Sequence, residues 1–380
     1  MGKRIRLGLV YIWKNSWLGG KYYLENLLIA LNTLTDEKKP WVNLYCLDDA
    51  TYKEFQKNTE YPYLEKNIVK IKFRYRVWHK ILSVFSWRVS HNVDDFPLLP
   101  DDDIFFPLAM GSQPGKMISW VPDLQEKHLQ QYFSKKELKA RDSNIRHICE
   151  HKIPIVFSSN DSQSDFLKYY PGFAKHPTYV VHFAVNQPDF SDVDIITIKN
   201  KYGIKKPYLI CANQFWQHKN HLFLFEAFKK AQERGLDMQL VCTGKMEDYR
   251  RPQYIAEIKR YLCNNLGDSV LTLGVIGKKE LLCLMKHSYA VIQPSLFEGW
   301  NTTVEDCKAM NKFIFLSDLP VHREQIDKNV CFFDPYDESD LVEKLVTVKP
   351  TEEYFDYSCC INQFGEDFCK VLVTKLKRFA

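Results

Sequence analysis

The sequence has 380 residues, 45% hydrophobic and 26% charged, with a formal net charge of +5. At about 150 residues per domain this suggests two globular domains, and it excludes a disordered chain, a collagen-like repeat and a disulfide miniprotein. So mild a charge excess is no argument for nucleic acid. In chain order, apolar runs that read as strands cover 5–12, 41–46, 116–121, 153–158 and 178–183, with helical patterns at 20–34, 134–151 and 161–170. The second half repeats the alternation, with strands at 208–212, 238–243, 270–273, 290–294 and 313–316 and helices at 221–234, 279–286 and 303–310. Strands alternating with helices predict an α/β chain whose parallel sheets are covered by helices on their faces.

The stretch 185–207 carries Asp, Asn, Pro and Lys without a sustained apolar pattern and reads as a linker. The predicted division is an N-terminal domain over 1–190, a second over 206–362, and a closing helix over 363–380 that is a candidate to pack back on the first domain. Phe368, Val371, Leu372 and Leu376 share one face of that helix. The N-terminus lacks the apolar core of a signal peptide, and Arg6 stands where a myristoylation site needs Ser or Thr. No run approaches 18 apolar residues. The eleven cysteines are scattered without a CxxC pair, so a reducing, cytoplasmic location is expected.

The most informative segment runs from Pro294 to Met310. An apolar strand enters it, Glu298 and Gly299 occupy the following turn, and a helix begins near Thr302 or Thr303. A strand–turn–helix of this kind can hold a polar ligand at the carboxyl end of a sheet. One Glu and one Gly in such a loop are equally compatible with simple packing.

Glu298-Gly-Trp-Asn-Thr-Thr-Val-Glu-Asp306, followed by Lys308-Ala-Met-Asn-Lys312 and Ser317-Asp-Leu-Pro-Val-His-Arg-Glu324, resembles the signature of retaining glycosyltransferases of family 4. These are also called group 1 glycosyltransferases, and they have the GT-B fold of two facing Rossmann-like domains with an interdomain cleft. The family pattern is two carboxylates separated by seven residues, met here by Glu298 and Asp306, with Asp in place of the usual second Glu. Glu305 is adjacent, and at about 100° per residue only one of the two can face the ligand. The resemblance gives Glu298 contact with the donor sugar's hydroxyls, and gives Asp306 or Glu305 the ribose. Gly299, Trp300, Asn301 and Thr302 would line the donor.

A second match is Tyr208-Leu-Ile-Cys-Ala-Asn-Gln-Phe-Trp-Gln-His-Lys-Asn-His-Leu222. The family places Arg and then Lys here against the donor diphosphate. Lys219 fills the Lys position and Gln214 replaces the Arg. His218, His221 and Arg250 are candidates to supplement Lys219, although both histidines could merely frame a helix start. By the same resemblance Gly244 and Lys245 lie near the phosphates, and Val275 and Ile276 near the base. Gly19 and Gly20, at the first strand-to-helix turn, would approach the donor through their backbone N–H groups. Asp123 matches a further family segment and His128 lies five residues on, while Pro122 stands where many members have His.

Asp101-Asp102-Asp103 contains a DxD triplet but precedes its strand, and reads as a solvated turn. No His/Cys cluster has metal spacing, so no metal cofactor is expected. From Lys66 to Val93 there is no acidic residue, and basic side chains alternate with aromatic ones. That stretch reads as a contact for an anionic membrane surface, for single-stranded nucleic acid, or as an ordinary amphipathic helix. Membrane contact is favoured over nucleic acid because many family relatives use lipid-linked acceptors.

The resemblance thus implies a retaining hexosyltransferase that uses a UDP- or GDP-sugar and a glycan or lipid-linked acceptor, in polysaccharide or lipopolysaccharide synthesis at the inner face of the membrane. The catalytic candidates are Glu298, Lys219, Asp123 and His128. Two alternatives stand beside it. One is a synthase or phosphorylase acting on small soluble sugars. The other, favoured by Gln214 and Pro122, is a non-catalytic nucleotide-sugar-binding relative.

Overall fold

The structure, a computed structural model, describes residues 4–12, 18–69, 101–107 and 114–377. The chain divides into two units, Met1–Asn186 with Ser358–Ala380, and Gln187–Tyr357. In the first unit β1 (Arg6–Val10), α1 (Leu18–Asn32), β2 (Trp41–Cys46), α2 (Asp49–Thr59), β3 (Leu64–Ile68) and β4 (Ile104–Phe106) are followed by β5 (Ser119–Val121), α3 (Gln125–His128), α4 (Lys135–Glu150), β6 (Ile155–Phe157), α5 (Asn160–Tyr169) and β7 (Thr178–Val180). All pairings are parallel, in the orders β3-β2-β1-β4 and β5-β6-β7. A parallel bridge between Phe105 and Met117 joins the two sheets. The inner strands read as continuous apolar runs because helices cover both faces. Leu7, Leu9, Val10, Val42 and Leu44 are accordingly buried. A reciprocal capping box between Ser134 and Glu137 sets the start of α4 where the sequence places it.

The second unit comprises α6 (Ile195–Tyr202), β8 (Tyr208–Ala212), α7 (His221–Glu233), β9 (Gln239–Thr243), α8 (Pro252–Asn265), β10 (Val270–Thr272), α9 (Lys278–His287), β11 (Ala290–Gln293), α10 (Thr302–Met310), β12 (Ile314–Ser317), α11 (Pro320–Gln325), β13 (Val330–Phe333) and α12 (Glu338–Thr347). Its six parallel strands run β10-β9-β8-β11-β12-β13. The strands alternate between two cores, with Leu209 and Cys211 packing on one side of the sheet and Tyr208 and Ile210 on the other. The chain winds outward from β8 through β9 to β10, then returns to place β11 on the other flank of β8. The crevice outside the carboxyl ends of β8 and β11 is therefore the topological switch point, where open α/β sheets bind ligands.

The structure differs from the sequence expectations in places. The stretch 185–207 is not a bare linker, since α6 lies within it and buries Ile198. The closing helix, α13 (Ser358–Lys377), begins before residue 363. Asp101–Asp103 is not a solvated turn, because Asp102 is fully buried and bonds to Asn43 and to the Tyr45 hydroxyl at 2.6 Å. Burial pushes the Asp102 carboxyl above its usual range. Of the basic stretch 66–93, residues from 70 onward lie outside the described residues. Lys66 is in β3 and pairs with Asp49 at 2.6 Å. No helix among the described residues is long and apolar enough to cross a membrane.

α13 packs on α1, with Phe364 against Tyr23 and Phe368 against Phe106. The approach is close enough that a Cβ at Gly365 would overlap the Ala30 carbonyl, 2.8 Å from its carbon. Gly365→Ala must push the helices apart, and we expect it to cost about 1–3 kcal/mol in urea-induced unfolding. An unchanged midpoint would mean that α13 does not seat on α1 this tightly.

Candidate active site

The switch point gathers residues that the sequence reading nominated separately. After β8, a 3₁₀ turn at Gln217–Lys219 leads through Asn220, in the left-handed region at φ 59°, into α7. After β11, the chain passes Glu298 and enters α10, whose N-cap Asn301 accepts the Thr303 N–H at 3.0 Å. The two loops are stitched together by the Leu296 N–H donating to the His218 carbonyl at 2.8 Å, and by the buried Asn213–Gln293 amide pair. The result is an ion pair of 2.5 Å between Lys219 Nζ and Glu298 Oε1, with side chains only 18% and 10% exposed.

Gly244 closes the site from β9. It has φ +107°, and a Cβ there would sit 2.7 Å from the Asn213 backbone carbon, so both conformation and space require glycine. Its N–H donates to the Gly274 carbonyl at 2.7 Å. Gln214, in the position of the family's Arg, accepts the Lys245 backbone N–H at 2.9 Å, so it braces the loop after β9. Lys245 itself is exposed and pairs with Glu247 at 2.7 Å. Asp248 accepts the Gln217 N–H at 3.0 Å and ties the same two loops again. Arg250 lies over the rings of Trp216 and Tyr249.

The two neighbouring carboxylates on α10 differ sharply. Glu305 is buried and bonded by Gln325 Nε2 at 2.8 Å, Lys308 Nζ at 3.1 Å and the Tyr357 hydroxyl. Asp306 is also buried, and its closest partner is Lys278 Nζ at 2.5 Å. Val275 is largely exposed, whereas Ile276 packs on the core. Gly299 and Asn301 are buried, Trp300 is half-buried and Thr302 is exposed.

Several candidates take other places. Burial, with the Lys219 and Arg250 cations beside it, holds His218 well below the usual imidazole range, so it adds no positive charge. His221 is buried and stacks on Phe215 at 4.1 Å, a core residue at the helix start. In the first unit, Gly19 and Gly20 lie inside the first turn of α1, not in a turn ahead of it. Asp123 accepts the Gln125 N–H at 3.2 Å and lies 3.7 Å from Arg141. His128 is exposed and pairs with Asp165 at 2.5 Å, which raises its pKa above the ordinary value. Asp165 has no sequence signal, since it meets His128 only through the packing of α5. His322 lies in the quoted motif and Gln325 one residue beyond it; both touch Asn301 from α11, but nothing in their spacing reveals that contact.

Residues 194–354 match the family described as glycosyl transferases group 1. The second unit belongs to that family. Over 192 residues the chain is 26% identical to the O-antigen chain mannosyltransferase RfbU of Salmonella typhimurium, covering 50% of this chain and 48% of that protein. The chain spans about half the length of the curated relatives it matches. Among solved structures, Anabaena HepE in complex with UDP and glucose aligns over 99% of this chain and 98% of its own, at 12% identity and a TM-score of 0.61. The UDP-forming trehalose-phosphate synthase of Burkholderia vietnamiensis aligns over 99% and 100%, at 12% identity and a TM-score of 0.64. The group 1 domain and these likenesses establish the GT-B fold.

Removing one partner of a buried ion pair leaves an uncompensated charge, which costs about 3–5 kcal/mol. We therefore expect Lys219→Met to lower unfolding stability more than the double variant Lys219→Met/Glu298→Gln does. Strictly additive losses in urea titrations would show that the pair is not coupled.

Proposed function

We propose that this chain is a retaining glycosyltransferase moving a hexose from a nucleotide diphosphate sugar to a hydroxyl of a glycan or lipid-linked acceptor. The Lys219–Glu298 pair at the switch point carries the reading. It sets a cation for a departing diphosphate beside a carboxylate that can accept bonds from sugar hydroxyls. The donor is a UDP- or GDP-sugar. UDP and glucose bound to HepE support a nucleotide-sugar site, and the likeness to the O-antigen chain mannosyltransferase RfbU supports a role in polysaccharide or lipopolysaccharide assembly.

In this reading the acceptor hydroxyl attacks the anomeric carbon on the face from which the nucleotide leaves. The bond from that carbon to the diphosphate breaks, the new glycosidic bond forms, and the hydroxyl proton passes to the departing phosphate oxygen. Lys219 moves from Glu298 to the phosphate and frees Glu298 for the sugar. The α7 N-terminus adds stabilisation, and no metal is required. Asp306 takes the ribose: the Glu305 oxygens are occupied by three donors, while Asp306 holds chiefly the half-exposed Lys278. Asp123 and His128 serve the acceptor side, and 66–93 contacts an anionic membrane at its inner face. The likeness to trehalose-phosphate synthase favours a second reading with small soluble acceptors.

The test is nucleotide release from a panel of UDP- and GDP-sugars with glycan, lipid-linked and monosaccharide acceptors, with NMR of the product's anomeric centre. We expect retention, no loss with EDTA, and a fall of about 10²- to 10³-fold or more in Glu298→Ala. Tight nucleotide binding without turnover of any donor would instead make the chain a non-catalytic binder.

A further inference from the structure

We infer that His322 is a positioning residue that sets, through Asn301, the direction of the Glu298 carboxylate. The inference rests on Glu298 being the sugar-contacting group. Asn301 spends its Oδ1 on the Thr303 N–H, which directs its amide nitrogen to the other side. That nitrogen lies 3.4 Å from Glu298 Oε1 and 3.3 Å from His322 Nε2. An amide nitrogen only donates, so His322 Nε2 accepts. The other ring nitrogen, Nδ1, is 2.8 Å from the Ser317 carbonyl oxygen, which only accepts, and 3.3 Å from the Ser317 hydroxyl. Two independent partners thus select one neutral tautomer, with the proton on Nδ1.

His322 is fully buried, and burial lowers its pKa, which keeps the imidazole neutral. The same helix holds residue 301 a second time. Gln325 accepts the Asn301 N–H at 3.2 Å and donates to the Asn301 carbonyl at 2.8 Å. α11 therefore grips Asn301 through both its backbone and its amide. The grip matters most when donor is bound. Lys219 is the short partner of Glu298, and once a diphosphate draws Lys219 away, the Asn301 amide is the contact remaining among the described residues to aim the carboxylate.

The test compares His322→Phe, His322→Gln and Asn301→Ser, which keeps a capping oxygen, with the double variant His322→Phe/Asn301→Ser. Misplacing a reacting group by about 1 Å can cost on the order of 100-fold, so we expect kcat to fall about 10- to 100-fold in His322→Phe. His322→Gln should recover part of the loss, and the affinity for free UDP or GDP should stay unchanged in both His322 single variants. The double variant should be no slower than Asn301→Ser alone. Losses that multiply, or nucleotide affinity falling with kcat, would overturn the inference. A readout independent of turnover is ¹⁵N NMR of the wild-type imidazole, where the Nδ1-protonated neutral form is expected and the Nε2-protonated form would overturn it. If wild type transfers no sugar while the Nδ1 tautomer is present and is lost in Asn301→Ser, the glycosyltransferase reading fails and the His322–Asn301 link stands.

Discussion

An ammonium and a carboxylate, Lys219 and Glu298, meet at 2.5 Å outside the carboxyl ends of β8 and β11, and much of the second unit serves that meeting. Both side chains are largely withdrawn from water, so each would carry a desolvation cost that only a fixed opposite charge offsets. A fixed pair needs fixed loops. The strand order supplies adjacency, since β11 inserts beside β8 only because the winding reverses there. The Leu296–His218 backbone bond, the Asn213–Gln293 pair and the Asp248–Gln217 bond then hold the loops that carry or flank the charges.

Charge matching extends beyond that pair. Asp306 has Lys278, Glu305 has Lys308, and Lys245 has Glu247. Each of these carboxylates holds a cation of its own. Gln214 carries no charge and braces the Lys245 backbone.

The strongly periodic parts were legible in the sequence. β2 and β8 fall at the residues their apolar runs mark, and α4 starts one residue after the helical pattern at 134–151 does. Glu298 and Asp306 were nominated only because their spacing resembles a family motif. The sequence reading also passed over α2, α8, β13 and α12, and for three further elements the pattern is set by position in the fold. β3 is an edge strand with one residue buried, so it shows little apolar alternation. β4 is three residues long and follows three aspartates, which read as solvent-facing until Asn43 and Tyr45, from the adjacent region of the sheet, are seen to bond Asp102. α6 carries a single buried side chain, too little for a visible apolar stripe.

The choice between Glu305 and Asp306 shows why such assignments need three dimensions. Helical geometry says that the two cannot share a direction, but it is symmetric between them. What breaks the symmetry is remote in sequence: Gln325 from α11 and Tyr357, twenty and fifty-two residues away, both reach Glu305. A carboxylate that holds three donors has little acceptor capacity left and serves to anchor α10 against α11. Its neighbour, released from that duty, is free to carry a carboxylate whose main partner is a half-exposed lysine that a ligand hydroxyl could replace. The same helix residue, Gln325, that bonds Glu305 also bonds the Asn301 backbone, so Asn301 is seated against α11. One helix of six residues thereby holds Glu305 directly and reaches Glu298 through Asn301.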